Sequence, residues 1–170
     1  IHRLWIKTNF IPLILFIACS SITPYKALAK MKLPIQYCSI SINSTPLSTD
    51  QVSLNFSLQN PYDKNMRLLM WHTPFEGFFS DLFMIKNRNS GEQLNYQGPM
   101  VKRLQPQFED YLSISANEIS SITLNLSLAY VFTQGNYQLH LKKNSFHFED
   151  DNLTPFPLFC ETPLIEFSIK

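Results

Sequence analysis

The chain lacks the residue patterns on which hydrolases depend. It has four histidines, His2, His72, His140 and His147. No two of them have the His-Glu-x-x-His spacing that places two ligands and a general base at one zinc ion. The Gly-x-Ser-x-Gly turn that exposes a nucleophilic serine is also missing. We therefore expect no enzymatic activity, and the sequence predicts no catalytic, cofactor-binding or metal-binding residue.

Positive charge is also scarce. The 170 residues include 14 basic and 13 acidic side chains, a net charge of +1. Without the first 29 residues, which contain Arg3, Lys7 and Lys26 and no acid, 11 basic and 13 acidic residues remain, a net charge of −2. Nucleic acids and anionic membranes select a dense positive face. The composition therefore predicts neither as a partner.

No apolar run is long enough to favour a transmembrane helix. The run at 10–18 follows Arg3 and Lys7 and precedes Ala27-Leu28-Ala29, which has small residues where signal peptidase binds them. We predict a signal peptide at 1–29, an exported protein that is periplasmic or secreted, and one domain at 30–170. An alternative is a lipoprotein signal, Phe16-Ile17-Ala18-Cys19, in which Cys19 is acylated after cleavage.

The chain has only three cysteines, and one of them, Cys19, lies in the predicted signal. Cys38 and Cys160 remain. An even pair in an exported chain favours a disulfide, and a bridge closing so long a loop stabilises a fold by about 4 to 5 kcal/mol in the chain-entropy model. The alternative is two separate buried thiols.

Apolar and polar residues alternate along much of the chain, which is typical of half-buried strands. This pattern predicts strands at 35–42, 52–58, 66–71, 81–86, 93–96, 122–128, 137–141 and 164–169. Seven to nine short strands without a helical period predict an all-β sandwich. Gly135-Asn136-Tyr137-Gln138-Leu139 is similar to the corner that opens strand F of immunoglobulin domains, so we predict an immunoglobulin-like antiparallel sandwich. The prolines at 155, 157 and 163 favour an irregular crossover at 146–163.

The middle of the chain resembles a known domain. The motifs concerned are Asn60-Pro61, Leu69-Met70-Trp71-His72-Thr73-Pro74-Phe75-Glu76-Gly77, Tyr96-Gln97-Gly98, Lys102-Arg103, Pro106 and Glu109-Asp110-Tyr111. Together, over 52–141, they are similar to the amino-terminal, propeptide-type domain of deuterolysin-like (aspzincin) zinc metallopeptidases. Members of that family bind zinc in a separate catalytic domain. The 170 residues contain neither its His-Glu-x-x-His pair nor its Gly-Thr-x-Asp segment, so the resemblance implies a prodomain-like protein without peptidase activity.

The resemblance implies a binding protein that inhibits a deuterolysin-like metallopeptidase or assists its folding. Aromatic side chains in a rigid turn are frequent interface anchors, and Lys102-Arg103 matches a motif of the family. We therefore predict partner-binding residues in two segments: Phe75, Glu76, Phe78, Phe79, Asp81, Lys102 and Arg103.

A different class of protein is the main alternative. An exported immunoglobulin-like module could bind a protein or carbohydrate at a cell envelope or host surface. The Asn, Ser and Gln side chains that alternate along the predicted strands suit carbohydrate contact. The sequence does not predict the oligomeric state.

Overall fold

A computed structural model describes residues 37–43, 47–142 and 145–170. The predicted signal peptide and Cys19 lie outside these residues. The described part of the chain contains ten strands, three short 3-10 helices and no α-helix. The strands are β1 (Cys38–Ile42), β2 (Ser53–Gln59), β3 (Met66–Leu69), β4 (Phe83–Asn87), β5 (Tyr111–Ile114), β6 (Ile119–Asn125), β7 (Gly135–Leu141), β8 (Ser145–Asp150), β9 (Pro155–Phe159) and β10 (Ile165–Ile169).

The strands form three antiparallel sheets, with strand orders β1-β2-β6, β10-β7-β4 and β5-β3-β8-β9. This architecture confirms the all-β class and is consistent with a β-sandwich. It has one strand more than the upper limit of our prediction, and the immunoglobulin-like type stays a prediction. No helix in the described part of the chain is long and apolar enough to cross a membrane.

Alternation within the strands forms one continuous apolar core. Leu54, Phe56 and Leu58 are fully buried on β2, whereas the residues between them are partly exposed. The same alternation buries Tyr137, Leu139 and Leu141 on β7. Strand residues two apart share a face, so these apolar faces turn towards one another and away from water.

Cys38 and Cys160 form the predicted disulfide, with an S–S distance of 1.98 Å and a sequence separation of 122 residues. Both cysteines are buried, at 1% and 0% exposure. The bridge joins β1 to the segment between β9 and β10.

The prediction of an irregular crossover at 146–163 was wrong. Phe146 and Phe148 are buried on β8, while Ser145 and His147 are exposed, which is the normal alternation of a strand. Pro155 and Pro157 lie on β9, which pairs with β8 at the end of its sheet. An edge strand tolerates proline because the missing N–H need not join a second ladder.

Two other predicted strands differ from the structure. At 93–96 the chain forms only isolated bridges, Lys86 with Gln93 and Tyr96 with Tyr130. The strand predicted at 122–128 ends at Asn125, whose side chain accepts a hydrogen bond from Ser127 N at 3.2 Å and starts a 3-10 helix. That turn leaves Leu128 74% exposed, although alternation had placed it on the apolar face.

Candidate functional site

A tight turn after β3 positions the first group of predicted partner-binding residues. Thr73 donates a hydrogen bond from Oγ1 to the Met70 carbonyl at 2.6 Å and accepts one from Phe75 N at 3.2 Å. Pro74 then begins the 3-10 helix Pro74–Glu76, and Gly77 ends it with φ of 81°. Threonine caps, proline in the first turn and glycine at positive φ each favour this geometry.

The turn separates its three phenylalanines between core and surface. The Phe75 ring meets that of buried Phe56 edge-on, with centroids 5.4 Å apart, and the Phe78 ring meets that of Tyr130 at 6.5 Å. Both are partly buried against the core. Phe79, at 43% exposure, is the one of the three that faces solvent.

Glu76 and Arg103, one residue from each predicted segment, form an ion pair. The Glu76 side chain is only 8% exposed and that of Arg103 is 25% exposed. Glu76 Oε2 also accepts the backbone N–H of His72 at 2.9 Å. The Arg103 guanidinium lies over the Trp71 ring at 5.4 Å and over the Phe79 ring at 5.8 Å. Arg103 therefore points inward, as an anchor, while neighbouring Lys102 is exposed.

Asp110 also contacts Trp71, and it holds this side chain and the neighbouring backbone through three hydrogen bonds. Its Oδ1 accepts a hydrogen bond from Trp71 Nε1 at 3.0 Å, and its Oδ2 accepts the Gln107 N–H at 2.8 Å. Its carbonyl accepts the N–H of Met70 at 2.9 Å. Asp110 ends the 3-10 helix Phe108–Asp110, which leads directly into β5.

Tyr96 fixes the start of the segment that leads to Asp110. Its hydroxyl lies 2.8 Å from the Pro99 carbonyl and 2.9 Å from the Phe78 carbonyl, and donates towards both. The phenol packs so closely against Gly98 that a Cβ at that position would overlap it. Burial, with a smaller contribution from the charge of Asp81, raises the pKa of Tyr96.

Asp81, another predicted site residue, belongs to a separate cluster. Its Oδ1 accepts a hydrogen bond from the Tyr130 hydroxyl at 2.9 Å, and its Oδ2 pairs with Lys142 Nζ at 2.5 Å. The Tyr130 hydroxyl also accepts the Phe83 N–H at 3.2 Å. Burial is the main cause that raises the pKa of Tyr130 far above the ordinary tyrosine value. These contacts occupy both oxygens of the Asp81 carboxylate.

Between Tyr96 and Asp110 lies an exposed loop, residues 98–107, which we call the anchored loop. It contains no strand or helix. Met100 is 80% exposed and Leu104 is 94% exposed, the highest fraction among the large apolar side chains of the described residues. Trp71, Asp110 and loop residues 102–105 and 107 line an open groove of about 650 Å³.

A second arginine lies beside the base of the loop. Arg67 pairs with Glu149 at 3.1 Å, and their side chains are 15% and 10% exposed. Its guanidinium lies 4.5 Å from the Tyr111 ring centroid and 5.0 Å from that of Phe108. Burial raises the pKa of Tyr111, and the nearby Glu149 carboxylate adds to this effect. Phe108 nevertheless stays 78% exposed.

Uncharged polar side chains cover the outer face of the β1-β2-β6 sheet. Asn55 donates to Asn43 Oδ1 at 2.8 Å and accepts from the Thr123 hydroxyl at 2.5 Å. The hydroxyls of Ser57 and Ser121 are 2.8 Å apart. These groups therefore satisfy one another across the strands.

The sequence-predicted residues thus have four different positions. Glu76, Phe79 and Arg103 come together at the base of the anchored loop, Phe75 and Phe78 pack towards the core, Asp81 joins Tyr130, and Lys102 is exposed on the loop. Sequence reasoning did not select Met100 and Leu104, the most exposed apolar side chains of the loop. The signal was present, because both follow Gly98-Pro99 in a segment without alternation.

Comparison with known proteins finds a curated relative over part of the chain and a weak structural likeness. No protein-family profile matches the chain. The chain is 30% identical over 93 residues to a protein named extracellular protease from Aeromonas hydrophila; the match covers 54% of this chain and 26% of that protein. The chain thus spans about a quarter of the length of this relative. The X-ray structure of a Northeast Structural Genomics Consortium target, SoR45, is 11% identical, with a TM-score of 0.42, covering 78% of this chain and 87% of the other.

Proposed function

We propose that this protein is a non-catalytic binding module that associates with an extracellular metallopeptidase and inhibits it. The similarity to an extracellular protease over 93 residues supports the connection to proteolysis. The resemblance of residues 52–141 to deuterolysin-like prodomains supports the metallopeptidase class, and the missing His-Glu-x-x-His pair supports a non-catalytic role. In this proposal the module acts in trans, as a free deuterolysin-like prodomain.

The anchored loop is the observation that carries the proposal. An inhibitor that occupies the substrate cleft of a peptidase needs an exposed segment that keeps its conformation when it enters the cleft. Residues 98–107 are exposed apart from Gly98 and Arg103, and contacts from Tyr96, Glu76 and Asp110 hold them. A segment held in one conformation loses less entropy on binding, and this favours affinity.

A titration against the extracellular protease of Aeromonas hydrophila tests the proposal. The purified, oxidised chain is added in steps to the active enzyme while cleavage of a small fluorogenic peptide is followed. We expect activity to fall to a plateau at one equivalent of chain, and a complex to elute on size exclusion. Unchanged activity without a complex would contradict the proposal. A broad-specificity serine peptidase is the control enzyme, and equal inhibition of both would contradict the metallopeptidase assignment.

The chain is also proposed to assist the folding of the same peptidase, which a separate measurement tests. The protease is denatured and refolded with and without one equivalent of the chain, and the recovered activity is measured after the complex is dissociated. A higher yield with the chain supports a chaperone role in addition to inhibition. An equal yield removes the chaperone role and leaves inhibition unaffected.

The polar face of the β1-β2-β6 sheet favours a second candidate, a carbohydrate-binding or adhesion module. Hydroxyl and amide groups without charge are suited to sugar hydroxyls. Because many of these groups already bond to one another, a sugar would have to displace internal hydrogen bonds. Calorimetric titration with soluble polysaccharides measures this binding directly, and absence of heat at millimolar sugar concentrations would remove the candidate.

A further inference from the structure

The anchored loop presents apolar side chains to water in an unusual concentration. Met100, Val101 and Leu104 are 80%, 39% and 94% exposed within five residues. Large apolar side chains that cluster on a surface mark interaction sites more often than isolated ones do. The cost of their exposure is recovered when a partner covers them.

The backbone of the loop also has free hydrogen-bonding groups. In the described part of the chain, no hydrogen bond reaches the N–H or C=O groups of residues 100–104. The loop carbonyls that do accept bonds lie at the margins. Pro99 accepts one from Tyr96, Gln105 and Pro106 accept from the Gln107 side chain, and Gln107 accepts one from the Asp110 N–H. A segment with free main-chain donors and acceptors can pair with the strand edge of a partner, and alternate side chains then enter its pockets.

Three contacts fix the conformation of this segment from the inside. The Tyr96 hydroxyl binds the Pro99 carbonyl, the Asp110 carboxylate binds the Gln107 N–H, and Glu76 holds Arg103 between them. The prolines at 99 and 106 stiffen both ends, since each restricts its own backbone. The inward direction of Arg103 leaves the adjacent Leu104 pointing into solvent.

The charge of the loop differs from that of the remaining domain. Residues 93–108 contain Lys102 and Arg103 and no acidic residue. Arg103 is paired internally, whereas Lys102 is exposed and makes no ion pair with any described residue. The surface around Leu104 is therefore apolar with one free positive charge, which suits a cleft that has an apolar subsite and an acidic rim.

From these observations we infer that residues 100–104 are the segment that enters the substrate cleft of the peptidase, with the Leu104 side chain in an apolar subsite. This inference rests on the proposed function. It assigns to Arg103 the role of a positioning residue that holds the loop, and it assigns the direct contacts to Met100, Lys102 and Leu104.

Two matched leucine variants test the inference. Leu104→Asp replaces the proposed anchor, and Leu128→Asp makes the same change at a leucine that is 74% exposed on another turn. Both side chains are exposed, so we expect both variants to fold, which circular dichroism checks. In the titration against the Aeromonas hydrophila extracellular protease, we expect Leu104→Asp to raise the inhibition constant by about 30-fold or more, as loss of an interface hot spot does. Leu128→Asp should leave it unchanged.

Methionine oxidation gives a readout that needs no substitution. Met100 is 80% exposed and Met84, on β4, is 37% exposed. Dilute peroxide should oxidise both in the free chain, with Met100 the faster. In the complex, we expect Met100 to be protected and Met84 to react at its free rate, as measured by peptide mass spectrometry.

The outcomes separate the inference from the function on which it rests. If the wild-type chain inhibits while Leu104→Asp inhibits equally well, or while Met100 keeps its free oxidation rate, the inference is overturned and the proposed function stands. If the wild-type chain neither inhibits nor binds, the proposed function fails and the inference fails with it. Selective loss in Leu104→Asp together with protection of Met100 supports both.

Discussion

Trp71 Nε1 donates a hydrogen bond to Asp110 Oδ1 at 3.0 Å, across 39 residues of sequence. This bond ties the end of β3 to the residue that precedes β5, and it forms one side of the groove beneath the anchored loop. The carboxylate also accepts the Gln107 N–H, so one side chain joins a strand end, a loop end and a 3-10 helix.

Asp110→Ala should therefore destabilise the fold more than the same substitution at the neighbouring Glu109. The substitution removes two charge-assisted hydrogen bonds, and we expect a loss of about 2 to 3 kcal/mol in the free energy of unfolding. Urea denaturation followed by tryptophan fluorescence measures it. Glu109→Ala is the matched control, because Glu109 is an exposed carboxylate and should cost less than about 0.5 kcal/mol. Equal costs for the two variants would contradict the role of Asp110.

The Glu76–Arg103 pair should show a large coupling energy in a double-mutant cycle. Its side chains are 8% and 25% exposed, whereas those of the Arg88–Glu166 pair are 53% exposed for Glu166 and 47% for Arg88. Buried pairs leave an uncompensated charge when one partner is removed, and exposed pairs are screened by water. We expect about 2 kcal/mol for Glu76–Arg103 and about 0.5 kcal/mol or less for Arg88–Glu166. Similar values for both cycles would show that the loop anchor contributes little.

Gly98→Ala should strain the start of the anchored loop. The added Cβ would overlap the Tyr96 phenol, and overpacking of this kind costs about 1 to 3 kcal/mol. The Tyr96→Ala background tests the cause, because without the phenol the same glycine substitution has nothing to overlap. We expect the cost of Gly98→Ala to disappear in that background, as measured by urea denaturation. A cost that persists would show a backbone origin instead.

Removal of the disulfide should lower stability strongly. Cys38 and Cys160 are separated by 122 residues, and the chain-entropy model gives about 4 to 5 kcal/mol for a loop of that length. The Cys38→Ala/Cys160→Ala variant should unfold at a lower urea concentration than the oxidised wild type. The wild type under strong reductant is the matched control and should follow the variant. No shift between oxidised and reduced wild type would contradict the prediction.

Alkaline pH should destabilise the fold through Tyr130. Burial raises its pKa above the ordinary value of 10.0, so at high pH the unfolded chain releases the phenol proton while the folded chain retains it. Stability is then complete below about pH 10 and falls as the pH rises further, by at most about 1.4 kcal/mol per pH unit for one such group.

The matched variant for this pH dependence is Tyr130→Phe. It should be less stable at neutral pH, because it loses the hydrogen bond to Asp81, but its stability should fall less steeply between about pH 9 and about pH 11. The pKa values of Tyr96 and Tyr111 are also raised. The free energy of unfolding should therefore still fall with pH to some extent in both proteins. Parallel slopes would contradict the assignment to Tyr130.

Alternation made most of the fold predictable, because a half-buried strand shows its two faces in sequence. It succeeded on β2 and β7, and the two cysteines that follow the predicted signal could be paired by counting. It did not identify β5, β8 or β9. At β8 and β9 the prolines outweighed the pattern of Phe146 and Phe148, since sequence alone does not reveal that a strand lies at a sheet edge. Nor could it foresee that the Asn125 side chain ends β6 early.

The candidate site was predictable only in part, for a related reason. Residue type drew attention to Glu76, Phe79 and Arg103, which the fold brings together, and their role in partner binding stays a prediction. It could not tell which side chains point inward, because that depends on contacts between segments distant in sequence. The guanidinium of Arg103, a predicted partner-binding residue, lies over the Trp71 ring, whereas Leu104 points into solvent.

The long span between the two cysteines also determines when the disulfide can form during synthesis of the chain. A ribosome adds Cys160 122 residues after Cys38, so the Cys38 thiol lacks its disulfide partner while β1 to β9 are being made. The covalent closure can form only after β1 to β9 have emerged and Cys160 has reached β1. In this protein, oxidation therefore requires that β1 to β9 have been made, and a chain arrested before Cys160 keeps the Cys38 thiol unpaired.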